Sequence, residues 1–377
     1  MIQRRTLLQS GAAVAFGAPA LVGFAQQTVT LKFHTFMSPQ SNVWLNMHKA
    51  WMDKVTKDSG GRIKFEAYPA MQLGGSPVQL YDQAKDGVVD IVWTLPGNTP
   101  GRFPRIEVFE LPFMMNNAEA TSKAYWEYVQ TVAQDEFKDV QPLAFHTHAA
   151  GLLHTRNRQV LSASDLRGLK VRGPTRQATK LLNAAGATAI GMPLPQIPDA
   201  MSKGVIDAAA LPWEVIPSVK MHELAQFHSE FAPGKAALYN TTFVMVMNKA
   251  RYASLPSDLK KVIDNNSGIE TSAWFGKVQQ DQDPITRKMV IDRGNKVHVF
   301  GEAETQEFIQ LTGNIASEWV QDMNRRGHDG EKRQRQKAMG NGPAKGGHLG
   351  HFLVDVNELV VAGSVGDFVD HFLIDQD

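Results

Sequence analysis

Two stretches of this chain repeat one design. SPVQLYDQAKDGVVDIVWTL (residues 76–95) and LPQIPDAMSKGVIDAAALPW (residues 194–213) lie about 117 positions apart. Each predicts a Pro-initiated helix that stops at a glycine, Gly87 or Gly204, where the left-handed backbone closes a helix most easily. Val-Val-Asp or Val-Ile-Asp follows, with Asp90 or Asp207 opening an apolar strand. Common helix-Gly-strand grammar can echo by chance, but a matched Gly-Val-(Val/Ile)-Asp is a narrower pattern. It points to one α/β unit built twice, hence two similar lobes rather than one large sheet. A length of 377 residues suits two domains.

Local patterns agree. VTLKFHTF (residues 29–36) alternates Val29, Leu31 and Phe33 as a half-buried strand. The next segment places Val43, Trp44, Met47, Trp51, Met52 and Val55 on one helical face, with Ser41 or Asn42 to cap it and Gly60-Gly61 to stop it. RIKFEAY alternates again. Strand, helix, strand implies a right-handed crossover and a largely parallel sheet. A further strand in TTFVMVMN leads to a helix opening near Pro256, and residues 269–324 read as mostly helical, broken around VHVFGEAE.

The amino terminus, MIQRRTLLQSGAAVAFGAPALVGFAQQ, couples Arg4-Arg5 to a mildly apolar Ala/Gly run and a small-x-small site at Gly23-Phe24-Ala25. That is the grammar of a twin-arginine signal peptide, expected to be cleaved after Ala25; an ordinary secretory signal is the plainer reading. The run, interrupted at Gln9, Ser10, Gly11 and Pro19, falls short of the ~20 apolar residues of a membrane span. The chain has no cysteine, which excludes disulfides, thiolate catalysis and a lipid-anchored cysteine, and suits an oxidising periplasm. A formal net charge of +1 argues against nucleic acid as partner.

LRGLKVRGPTR (residues 166–176) alternates Leu169 and Val171 with Lys170 and Arg172 before Gly173-Pro174 breaks the strand. A strand ending on arginine aims a permanent cation at something. Taken alone, the partner is either a ligand carboxylate, which the planar guanidinium matches with paired donors, or a protein acid. The competing site is FHTHAAGLLHTR, whose His146, His148 and His154 make a metal-dependent enzyme the alternative. No acid stands at ligand spacing there. MQLGGSP lacks the Lys-Ser/Thr of a P-loop, and no G-x-S-x-G is present.

Residues 68–114 with LRGLKVRGP and KGVIDAAALPWEVIP resemble the DctP-type substrate-binding proteins of TRAP (tripartite ATP-independent periplasmic) transporters, over roughly residues 29–326. The resemblance implies a two-lobe periplasmic-binding-protein fold, α/β, with a ligand cleft between the lobes and a long bracing helix, here about residues 268–294. Lobe I would span 27–148, lobe II 149–240, and a returning segment 241–324 would serve both. It also implies that Arg172 holds the carboxylate of a small organic acid, facing water until the lobes close. Strand ends nominate Phe36, Ser38, Trp93, Asn98, Pro174, Thr175, Trp213 and Glu214 around it.

A pocket with Phe36, Trp93 and Trp213 favours an apolar or aromatic carboxylate over a hydroxylated sugar acid. Some relatives add a cation near the second echo, but Ala208, Ala209 and Ala210 stand where a polar residue is common. Neither a metal nor any other cofactor is expected. The implied protein is no enzyme but a periplasmic, monomeric receptor that hands its ligand to the small and large TRAP membrane subunits. The same fold could instead serve a sensor or an ABC transporter. The stretch from 325 to 377 is basic and Gly-rich, and its periodicity collapses after Glu331; it is expected to be a disordered tail or the product of a shifted reading frame.

Overall fold

Val29, Leu31 and Phe33 all turn inward on β1 (Val29–Thr35), the strand on which the first sheet is built. The computed structural model describes residues 27–115, 117–232 and 234–328; the signal segment and the tail beyond 328 lie outside them. Ser41 accepts the Trp44 N–H at 3.1 Å and starts a π-helical turn, Val43–Lys49, that runs into α1 (Ala50–Asp58). β2 (Ile63–Tyr68) returns parallel to β1. Ser76 and Gln79 form a capping box ahead of α2 (Leu80–Lys85), and β3 (Ile91–Thr94) pairs parallel to β1 on its other side.

The second unit repeats the path. β6 (Lys170–Gly173), α4 (Arg176–Ala184), β7 (Thr188–Gly191), α5 (Ile197–Ser202) and β8 (Ala208–Pro212) follow α3 (Ala118–Thr131), β4 (Val140–Thr147) and β5 (Gly151–Thr155). Then come α6 (Met221–Leu224), β9 (Phe227–Phe231) and β10 (Thr242–Asn248). The first sheet has the order β2-β1-β3-β10-β4; the second is β11-β9-β5-β8-β6-β7, with β11 at Lys296–Phe300. Apart from the extra edge strand β11, each is the other's arrangement with the units exchanged.

The aspartates of the echo do the same work in both. Asp90 accepts the Lys32 N–H at 2.7 Å and Asp207 accepts the Lys170 N–H at 2.9 Å. The backbone N–H of each returns to the carbonyl of the same lysine. Each acid thus clamps its strand to the neighbouring one, and Gly87 and Gly204 supply the positive φ (77° and 69°) that turns the chain into it.

The sheets are mixed rather than largely parallel. β10 lies antiparallel between β3 and β4, and β5 antiparallel between β8 and β9. The reason is strand exchange: β4 leads directly into β5 of the second sheet, and β9 leads back into β10 of the first. A third crossing comes earlier. Residues 111–115 leave the first lobe, where Leu111, Phe113 and Met114 join the second core and Phe113 N–H donates to the Ala237 carbonyl at 3.0 Å.

After α7 (Lys249–Ala253) and α8 (Ser257–Asn265), α9 (Ile269–Asp292) is the expected long helix. It bonds both lobes. Asn42 donates to Val278 O and Ala118 N–H donates to Gln280 Oε1, while Gln279 and Arg287 reach Glu214 and Glu230. At its crossing with α3, a Cβ on Gly276 would run into the Ala118 carbonyl and the Ser122 hydroxyl. The helices α10 (Glu302–Thr312) and α11 (Asn314–Arg325) cover the second core with Phe308, Ile315, Trp319 and Met323.

Glycine inside a helix ordinarily costs about 1 kcal/mol relative to alanine. Here Gly276→Ala is expected to have the opposite sign, destabilising by about 1–3 kcal/mol through overpacking. Urea unfolding measures it, and a stabilised variant would mean that α9 and α3 do not meet as described.

Candidate functional site

Arg172 stands third in β6, flanked in register by Ile190 on β7 and Ala209 on β8. Its side chain points beyond the strand end and is 3% exposed. Nε donates to Met192 O and Nη1 to Ala210 O, both at 3.0 Å. Among the described residues no carboxylate reaches ion-pair distance of it, and Nη2 has no protein acceptor. The expected exposure to water is not what is seen, because the lobes are in contact across the cleft. Burial draws the guanidinium down to about 10, still a cation at neutral pH.

Two crossing segments face it. Tyr239 lies close enough for its oxygen and the Arg172 charge to interact, and His148 feels the same charge. The Tyr239 ring lies flat against Gly151, where any Cβ would collide with it, and Gly151 N–H donates to Tyr239 O at 2.9 Å. Four side-chain atoms on these segments are buried without a partner: Tyr239 Oη, Thr147 Oγ1, Asn240 Oδ1 and Asn240 Nδ2. A buried, unsatisfied polar atom costs about 1–3 kcal/mol, so such a concentration calls for a partner. Sequence reading missed Tyr239 and Asn240. They follow no periodicity, and the only signal was a run of aromatic, amide and hydroxyl residues, YNTT, just before a strand.

The nominated residues divide. Phe36 and Trp93 pack together at 5.3 Å, and Trp93 stacks on Phe243 at 4.6 Å. The Trp93 indole N–H is held by His146 Nε2 at 2.8 Å. Phe36, Trp93 and Phe243 are all buried in the first hydrophobic core. Thr175 caps α4, while Pro174 is buried beside it and Asn98 is half-buried at the end of the 3-10 turn Pro96–Asn98. Ser38 shapes the turn before α1 by bonding Gln40.

Trp213 and Glu214 belong to the joint with α9. Trp213 Nε1 donates to Glu230 at 2.7 Å, and Glu214 bonds the Gln279 amide and, by its own N–H, Asp283. Burial lifts the Glu214 carboxyl to about 7. Burial, then the neighbouring Glu214 and Glu230, lifts Asp283 well above the usual carboxylate range.

The histidines do not converge on a metal. His146 holds Trp93, the His148 ring bonds the Ala149 carbonyl, and His154 lies between His228 Nδ1 (2.6 Å) and Leu211 O (3.1 Å). Burial lowers His146 to about 3 and His148 to about 4, so both are neutral at physiological pH. The alternative of a metal-dependent enzyme built on them has no geometry to support it.

Just before the crossing at 111–115, Glu110 accepts from Thr242 N–H (3.1 Å) and Thr242 Oγ1 (2.6 Å), with its Oε2 buried and unpartnered. Glu107 is gripped by Arg176 and Gln177 at the start of α4.

A cation buried without counter-charge between two lobes defines a receptor for an anionic solute. Comparison with known proteins agrees. The DctP family profile, bacterial extracellular solute-binding protein family 7, matches residues 33–322. The chain belongs to that family, the solute-binding proteins of TRAP transporters. A TRAP solute-binding protein from Rhodoferax ferrireducens T118, solved with copurified benzoate, is 65% identical, with a TM-score of 0.80 over 81% of this chain and 95% of that one. A marine metagenome TRAP protein specific for aromatic acid ligands, solved with 3-hydroxybenzoate, is 47% identical, with a TM-score of 0.79 over the same shares. The C4-dicarboxylate-binding periplasmic protein DctP of Rhodobacter capsulatus is 22% identical, covering 85% of this chain and 91% of its own.

Burial lifts Glu110 from its ordinary 4.5 to about 7. Its folded state therefore holds the proton more tightly than the unfolded one. That contribution is full below about pH 4.5 and is lost as pH rises through 7. Glu110→Gln keeps an acceptor for Thr242 and is expected to flatten the stability profile between pH 5 and 8 by about 1–3 kcal/mol. Urea midpoints across that range test this, and an unchanged slope would refute it.

Proposed function

We propose that this protein is the extracytoplasmic receptor of a TRAP transporter for aromatic monocarboxylates of the benzoate class. One observation carries the reading: Arg172 is buried with no protein carboxylate within reach. A ligand carboxylate meets its free edge, with Tyr239 Oη as an additional donor. Phe36, Trp93 and Phe243 offer apolar, aromatic surface, which suits an aromatic ring better than a polyol. The relatives seen with benzoate and 3-hydroxybenzoate support that choice.

The protein binds without turnover, releasing the acid unchanged to the membrane subunits. It works as a periplasmic monomer after removal of residues 1–25. No helix among the described residues is long and apolar enough to cross a membrane. The hinge runs through the crossings near residues 111–115, 148–150 and 240–241, so that 27–148 and 149–240 move as lobes I and II with 241–324 shared between them. Binding closes the lobes because the anion neutralises a cation that closure desolvates.

Arg172→Ala is expected to weaken benzoate binding at least 100-fold, about 3 kcal/mol, with Arg172→Lys a partial rescue, by isothermal calorimetry. In a thermal-shift panel benzoates should raise Tm while C4-dicarboxylates and sugar acids leave it unchanged. Stabilisation by the latter alone would overturn the ligand class.

A further inference from the structure

The carboxyl ends of β3 and β6 bring two tight turns face to face across the cleft. Gly97 sits in the turn Pro96–Asn98 of the first lobe, and Thr175 caps α4 in the second. A Cβ built on Gly97 would lie 2.5 Å from Thr175 Cγ2, 2.9 Å from its Cβ and 3.6 Å from its Cα. Side chains do not approach so closely, and neither partner can yield.

Thr175 is held on several sides. Its Oγ1 takes the Ala178 N–H, and its carbonyl takes both the Thr179 N–H (2.9 Å) and the Thr179 hydroxyl (2.7 Å). Glu107, bound to Arg176 and Gln177, pins the helix start immediately after it. On the facing side Pro96 stiffens the turn, and Asn98 N–H and Thr99 N–H close it on Leu95 O and Pro96 O, both at 3.0 Å. Gly97 does not have the positive φ that would reserve its place for glycine. Its missing side chain matters for the approach, not for the turn.

We infer that Gly97 and Thr175 form the stop that sets how far the lobes close, and that the absence of a side chain at 97 determines ligand residence time. A Cβ there holds the lobes apart at the mouth, leaves Arg172 partly solvated and lets the acid escape.

The chain's lack of cysteine permits a direct test. A pair introduced by Gly97→Cys and Thr175→Cys should oxidise to a disulfide across the mouth with the lobes held slightly apart, since the two Cβ positions are 2.9 Å apart here and bridged Cβ atoms sit about 3.5–4.5 Å apart. Thiol counting follows it without ligand, and benzoate should accelerate it. In parallel, Gly97→Ala should weaken benzoate binding about tenfold or more through faster dissociation, with the ligand-free Tm unchanged. Adding Thr175→Ser, which removes Cγ2 but keeps the cap, should restore part of the loss. No disulfide, or wild-type dissociation from Gly97→Ala, overturns the stop. Failure of the unmodified protein to bind benzoate would overturn the ligand class instead, and the cross-link would then decide the stop alone.

Discussion

A buried guanidinium without a counter-ion governs this structure. Desolvating an unpaired cation costs several kcal/mol, and two carbonyl contacts recover only part of that. Arg172 has those two, from Met192 and Ala210, and no acid. The closed lobes therefore suit a bound anion far better than an empty cleft. Capture and closure become one event, because the charge that attracts the ligand is the charge that closure would otherwise strand.

The rest of the molecule makes that coupling mechanical. Strand exchange plants β10 in the first sheet and β5 in the second, so the crossing segments are anchored at both ends by sheet hydrogen bonds. Tyr239 is pressed on Gly151 at that crossing, close enough to Arg172 for its oxygen to feel the charge. The long helix α9 ties to lobe I near Asn42 and Ala118 and to lobe II through Glu214 and Glu230. Trp213 and Glu214 brace this joint, with Trp213 Nε1 held by Glu230 and Glu214 Oε1 by Gln279, while Glu214 Oε2 is buried without a partner.

Much of the fold was legible. The two echoed units appear as pseudo-equivalent halves, with Asp90 and Asp207 making the same clamp to Lys32 and Lys170. Local rules sufficed there, since helix stops, caps and strand openings depend on neighbours in sequence. The antiparallel insertions were not legible. A fully buried strand such as β10 reads the same in either direction, and only the return path of the chain fixes its polarity. The excursion of residues 111–115 into the second core was equally silent.

What the sequence by itself determined was the doubled α/β unit, a mostly helical stretch over 269–324 and the position of a guanidinium at a strand end, because periodicity and residue chemistry are local properties; the long bracing helix was implied by the family resemblance. Tertiary structure decided what surrounds that guanidinium. Tyr239 and His148 reach it from the hinge, Trp93 is engaged with His146, and Gly97 meets Thr175 from the opposite lobe. Those contacts join residues tens of positions apart, and their existence depends on how the chain folds back on itself and how two lobes dock, which no local pattern encodes.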